Sequence, residues 1–81
     1  HLLKFLQVWI NSLMKNEVIK FGKKLREVRL KKELSQGDVA RILGVHRSYI
    51  SGLERGRRNP SLLTVQKVAK ALCVNVGDLV K

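Results

Sequence analysis

Arg47, Ser48 and Ser51 carry hydrogen-bonding ends and sit close together in the chain. If residues 46–54 form a helix, Arg47 and Ser48 open its first turn and Ser51 follows one turn later on the same face. Arg forks onto the O6 and N7 of guanine, and Ser is compatible with several bases. First-turn side chains of the second helix in a helix-turn-helix reach base edges, which makes these three the candidate base readers. The plainer alternative is an exposed first turn with Arg47 on phosphate. Gly52 has no side chain and would let such a helix approach DNA closely. Arg55, Arg57, Arg58 and Asn59 flank it and suit backbone contacts, and Arg58 or Asn59 would equally suit a neighbouring minor groove. His46 fits a helix cap or a phosphate contact, and Tyr49 fits packing or a phosphate hydrogen bond. A metal site needs more ligands than His46 has, since only Cys73 and His1 remain.

Other chemistries are poorly supplied. Glu54 is a lone acid without a matching base or nucleophile, and no glycine-rich phosphate loop follows a strand. The expectation is a protein that is not an enzyme and has no cofactor. The 17 Lys+Arg against 6 Asp+Glu leave a formal net charge of +11. That excess suits a polyanion such as double-stranded DNA. The single cysteine excludes an internal disulfide and fits a reduced, cytoplasmic setting. No run approaches the roughly 20 apolar residues needed to cross a bilayer, so no membrane partner is expected. Residues 1–13 lack a basic leading segment and a small-residue cleavage site, and make a poor signal peptide.

The elements that position these residues follow from spacing and caps. Eighty-one residues make one small domain. Leu2, Phe5, Leu6, Trp9, Ile10 and Leu13 fall near one helical face with Lys4 as the only charge. The expected division is an N-terminal extension over 1–14, helical or appended, with Met14 a natural start, and a domain over 15–81. From Glu17 a second amphipathic helix carries Phe21, Leu25 and Val28 and ends near Lys32. Glu33 stands where a terminating glycine is expected. Ser35 and Asp38 read as a capping box, with Leu34 and Val39 as a staple, and Val39, Ile42 and Leu43 as the buried face. Gly44 closes that helix. Val45 and Ile50 read as a second staple, Ile50 and Leu53 face inward, and Gly56 ends the helix. After Pro60, Ser61 caps a fourth helix with Leu62, Val65, Val68, Ala69 and Leu72 inward. Asn75 with Asp78 caps a short fifth element holding Val76, Leu79 and Val80. The last three are more apolar than that element needs alone.

Taken together, Ser35-Gln36, Ala40, Leu43-Gly44-Val45, Tyr49-Ile50-Ser51, Leu53-Glu54-Arg55-Gly56, Asn59-Pro60-Ser61-Leu62, Ala69 and Ala71-Leu72 resemble the helix-turn-helix domains of Cro and phage-repressor type, the XRE family. The resemblance covers about residues 18–81. It implies an all-α, five-helix domain with the 46–54 helix as reader. It also implies a phosphate contact at Gln36, a salt bridge between Arg29 and Glu54, and a dimer surface near Val76, Leu79 and Val80. Residues 46–56 are especially similar to controller proteins of restriction–modification systems, small homodimeric regulators of their own operon and of the endonuclease gene. The function this implies is transcriptional regulation by a homodimer on an inverted-repeat operator, with RNA polymerase as a further partner. The rival is an antitoxin or prophage-type regulator whose N-terminal segment binds a protein. Two features depart from the family: Cys73 replaces the usual glycine after helix four, and residues 1–13 have no counterpart.

Overall fold

The computed structural model describes the backbone of residues 2–80, and the side chains of residues 3, 4, 6 and 15–80. Five helices follow in order: α1 (Leu2–Lys31), α2 (Gln36–Leu43), α3 (Arg47–Glu54), α4 (Leu62–Ala71) and α5 (Val76–Val80). The two N-terminal helical segments of the sequence reading are one helix of 30 residues. At 1.5 Å per residue it accounts for most of the 48 Å long axis of the molecule. Its second half packs on the core through Phe21, Leu25 and Arg29, spaced four residues apart. Its first half extends beyond the core, with Leu3, Leu6, Lys15, Asn16 and Glu17 exposed. The apolar side chains assigned to one face at Leu2, Phe5, Trp9, Ile10 and Leu13 lie outside the described residues.

The capping signals hold. Ser35 accepts from the Asp38 amide at 2.9 Å while the Ser35 amide donates to the Asp38 carboxylate at 2.8 Å. These bonds from Ser35, with a smaller contribution from Arg41, hold the Asp38 carboxyl below its ordinary range. Ser61 accepts from the Thr64 amide, and the Asn75 amide donates to Asp78. His46 occupies the N-cap position of α3 but makes no capping hydrogen bond with its side chain.

Helices α1 to α4 end in the same way. A left-handed residue follows each helix, and the next amide donates to the carbonyl five residues back. The left-handed residues are Glu33 (φ 58°), Gly44 (φ 70°), Gly56 (φ 71°) and Cys73 (φ 57°). The closing bonds run from Leu34 to Arg29, Val45 to Ala40, Arg57 to Gly52 and Val74 to Ala69, at 2.9–3.2 Å. Glu33 and Cys73 therefore do what glycine does at the other two turns.

The core joins Phe21, Leu25, Val39, Ala40, Ile50, Leu53, Val65, Val68, Ala69, Leu72 and Leu79. Two positions expected to face inward do not. Ile42 is 57% exposed, because the buried stripe of α2 runs through Val39 and Ala40 towards Leu43 and leaves Ile42 beyond its edge. Leu62 is 71% exposed, since it opens α4 at the rim, a turn before the buried residues begin. Val45, expected to staple against Ile50, is 39% exposed.

Helices α1 and α3 cross closely at Gly22. A β-carbon there would lie 2.2 Å from the Leu53 carbonyl oxygen and 2.8 Å from that of Glu54. Backbone carbonyls cannot swing aside, so the helices must separate. Gly37, by contrast, would gain only an ordinary contact at 3.7 Å. Gly22→Ala is expected to cost at least about 2 kcal/mol, in the upper part of the range for overpacking. That lowers the melting temperature by roughly 8–16 °C in a domain of this size. Gly37→Ala should leave it unchanged or raise it. Calorimetry of the two variants checks the pair, and equal melting temperatures would refute the close crossing.

Candidate nucleic-acid interface

Helices α2 and α3 are joined by the turn Gly44–His46, and α3 crosses against both α1 and α2. Buried Ile50 and Leu53 hold one side of α3 in the core. The opposite side presents Arg47 and Ser48 to solvent, with Ser51 half-buried. Tyr49 is half-buried and packs against the core, so packing accounts for most of its side chain. Arg55, Arg57, Arg58 and Asn59 are exposed in the segment after the helix. Asn59 turns towards α1 and lines a groove with Val18, Phe21 and Pro60.

Arg47 meets the start of α2. Together with Arg29, Ser35, Gln36 and Gly37 it lines an open depression of about 460 Å³. The first amides of a helix point outward there, and a cationic guanidinium stands beside them. Both features favour an anion. The structure thus brings Gln36 and Arg47 to one surface from different helices.

Beneath this surface lies the ion pair of Arg29 and Glu54. Arg29 Nε donates to Glu54 Oε2 at 2.6 Å, and Nη2 donates to Oε1 at 3.0 Å. The pair is two-pronged and nearly closed to solvent, with the side chains 9% and 3% exposed. The hydrogen bond to Glu54 outweighs desolvation and raises the Arg29 guanidinium above its ordinary range. Arg29 stays charged throughout the neutral range, and the stability it contributes would be lost only at strongly alkaline pH. Two further bonds were not foreseen from the sequence. Arg29 Nη1 donates to the Leu34 carbonyl at 2.9 Å, and Gln36 Nε2 donates to Glu54 Oε1 at 3.1 Å. Gln36 and Glu54 are 18 positions apart, and no local pattern links them.

This burial sets the charge of the exposed face. Residues 46–60 contain one acid, Glu54, and its carboxylate is enclosed. Arg47, Arg55, Arg57 and Arg58 therefore stand around α3 without an exposed carboxylate from the same segment. The dimer candidates separate differently. Leu79 is fully enclosed in the core of the single chain, Val76 is half-buried, and Val80 is 43% exposed. Leu79 has no surface to offer a second chain. Among the described residues there is no group of three or more potential metal ligands, and no helix is long and apolar enough to cross a membrane.

A family profile described as helix-turn-helix matches residues 25–79. The control protein C.BamHI of Bacillus amyloliquefaciens is 48% identical over 60 residues, covering 73% of this chain and 74% of its own. The crystal structure of the restriction-modification controller protein C.AhdI from Aeromonas hydrophila superposes with a TM-score of 0.75 at 45% identity, covering 79% of this chain and 97% of that one. The controller protein C.Esp1396I, solved as a tetramer in complex with its natural 35 base-pair operator, superposes with a TM-score of 0.68 at 28% identity, covering 79% and 95%.

Removing one partner of a buried pair strands the other charge. Arg29→Met should destabilise the fold by about 3–5 kcal/mol in urea titrations. Arg29→Met combined with Glu54→Leu should recover a substantial part of that loss, because neither charge remains buried. A double variant no more stable than the single one would show that the bonds to Leu34 and Gln36, and not the stranded charge, carry the effect.

Proposed function

The chain belongs to the XRE-type helix-turn-helix family, and from that membership we propose that it is a DNA-binding transcriptional regulator that reads double-stranded DNA with α3. The observation that carries this reading is the pair of exposed side chains Arg47 and Ser48, with half-buried Ser51 one turn on, framed by three further arginines and with the only acid of the segment enclosed. Major-groove recognition needs donors on a helix face, and phosphate attraction needs uncompensated cations around it. Gln36 and the first amides of α2 act on phosphate beside Arg47. His46, Arg55, Arg57 and Arg58 add backbone contacts, with Tyr49 supporting the helix from beneath, while Asn59, expected beside them, lines the groove against α1 instead.

The finer reading is a homodimer on an inverted-repeat operator, controlling a restriction–modification operon. This reading draws on one relative named a control protein, a second named a restriction-modification controller protein, and a third such controller solved as a tetramer on its operator. One domain this small spans few base pairs, and two-fold pairing adds affinity and specificity. RNA polymerase is the further partner a regulator of this type would meet. Residues 15–81 form the DNA-binding domain, and 1–14 extend it. The dimer surface includes exposed Val80 and the apolar groove of about 300 Å³ formed by Val18, Phe21, Pro60 and Val65 with it.

Selection of fragments from a random DNA pool tests the central reading, and failure to enrich any sequence would refute it. With the selected operator, Arg47→Ala should cost roughly 1–3 kcal/mol and relax preference at one base position per half-site. Uniform weakening of every operator variant, with a flatter salt dependence, would make Arg47 a phosphate contact instead.

The dimer surface has its own test in sedimentation at micromolar concentration. Val80→Asp should yield a folded monomer, whereas Leu79→Asp should fail to fold because its charge enters the core. A Val80→Asp chain that remains dimeric would move the interface elsewhere.

A further inference from the structure

Gly52 lies midway along α3, one turn after Ser48 on the same face. A β-carbon at Gly52 would fall 2.7 Å from Arg58 Cγ, 3.6 Å from its Nε and 3.7 Å from its Cδ. All three of these nearest atoms belong to Arg58. The stem of Arg58 therefore rests directly on the bare α-carbon of Gly52. The backbone leads it there, since Gly56 turns the chain back at φ 71° and the Arg57 amide donates to the Gly52 carbonyl at 2.9 Å.

We infer that Gly52 is the seat of Arg58, which holds the arginine stem along α3 and presents its guanidinium to a DNA phosphate beside the reading face. The space that a bare glycine would leave for DNA is occupied by this side chain. A long arginine on a free loop loses much rotamer freedom when it binds, whereas a seated stem is already ordered. Gly52 is thus a positioning residue, and the phosphate contact belongs to Arg58. Any side chain at position 52 must displace the stem. The inference rests on the DNA-binding reading proposed above.

The test is a double-variant cycle with Gly52→Ala, Arg58→Ala and both together. The probes are a duplex carrying the sequence selected by the unsubstituted protein and a random-sequence duplex of equal length. Alanine is favoured over glycine inside a helix, so Gly52→Ala should melt at or above the original temperature. It should nevertheless bind the selected duplex roughly tenfold more weakly per half-site, the size of one lost charge-assisted hydrogen bond. The salt slope should fall by about one unit per half-site on both duplexes. Arg58→Ala should do the same, and the double variant should bind no more weakly than either single one. Unchanged binding by Gly52→Ala would overturn the seat. So would losses that add in the double variant, which would mean that DNA itself approaches Gly52. Independently of any variant, proton–proton contacts between the Gly52 α-carbon and the Arg58 stem should appear in nuclear Overhauser spectra of the unbound protein, and their absence would refute the arrangement. If the unsubstituted chain selects no sequence, the DNA reading falls and this inference falls with it. If it selects one and Gly52→Ala binds equally well, only the seat fails.

Discussion

The buried pair of Arg29 and Glu54 is the interaction on which the rest of the architecture turns. It joins the end of α1 to the end of α3 with two short bonds. Arg29 also takes the Leu34 carbonyl in the turn before α2, and Glu54 also takes the Gln36 amide at its start. One ion pair thus meets α1, α3 and both sides of the entry to α2. Its donors and acceptors are matched closely enough that no polar side-chain atom is left buried without a partner among the described residues. That matching is what makes a desolvated charge tolerable, since an enclosed carboxylate without partners would be strongly unfavourable.

The pair has a consequence for the outer surface. Glu54 lies in the segment that otherwise presents arginines, and an exposed carboxylate there would repel phosphate. Enclosing it against Arg29 neutralises it internally and leaves the cations of α3 and its following loop unopposed. The same interaction therefore ties the two helices together and sets the sign of the face they present.

Helices α2 and α3 have eight residues each, too short to persist alone in water. Their stability comes from buried Val39, Ala40, Ile50 and Leu53, and from sharp ends at both termini. The left-handed terminations of the first four helices serve this purpose. They let the chain turn back within connections of three to seven residues, so that each short helix returns to one shared core. Glu33 and Cys73 adopt left-handed backbone that an L side chain rarely takes. At Glu33 the neighbouring bond from Arg29 to the Leu34 carbonyl ties the same turn from the side-chain direction.

Much of this was legible in the residues themselves. The caps at Ser35 and Ser61, the glycine stops at Gly44 and Gly56, and the inward pairs Ile50/Leu53 and Val68/Ala69 are local signals with direct physical causes, and they stand in the structure. The Arg29–Glu54 pairing came from the family resemblance, and the geometry agrees. Local signals fell short where burial depends on which neighbour lies opposite. Ile42 and Leu62 have the spacing of core residues but are largely exposed, Ile42 at the edge of an open depression between α2 and α4 and Leu62 at the rim where α4 begins. Leu79 looked like spare apolar surface and proved to be core. The two N-terminal helical segments are one helix, since nothing between them breaks the backbone and no sequence rule says where packing must cease. The bond of Gln36 to Glu54 and the packing of the Arg58 stem over Gly52 connect residues whose proximity arises only when the turns fold back. The sequence by itself determined the four short helices, their caps and stops, and the surplus of positive charge, because those depend on neighbours a few residues apart. Only the tertiary structure decided which apolar faces meet, which carboxylate is enclosed and which arginine lies along α3, because those depend on how separate helices cross.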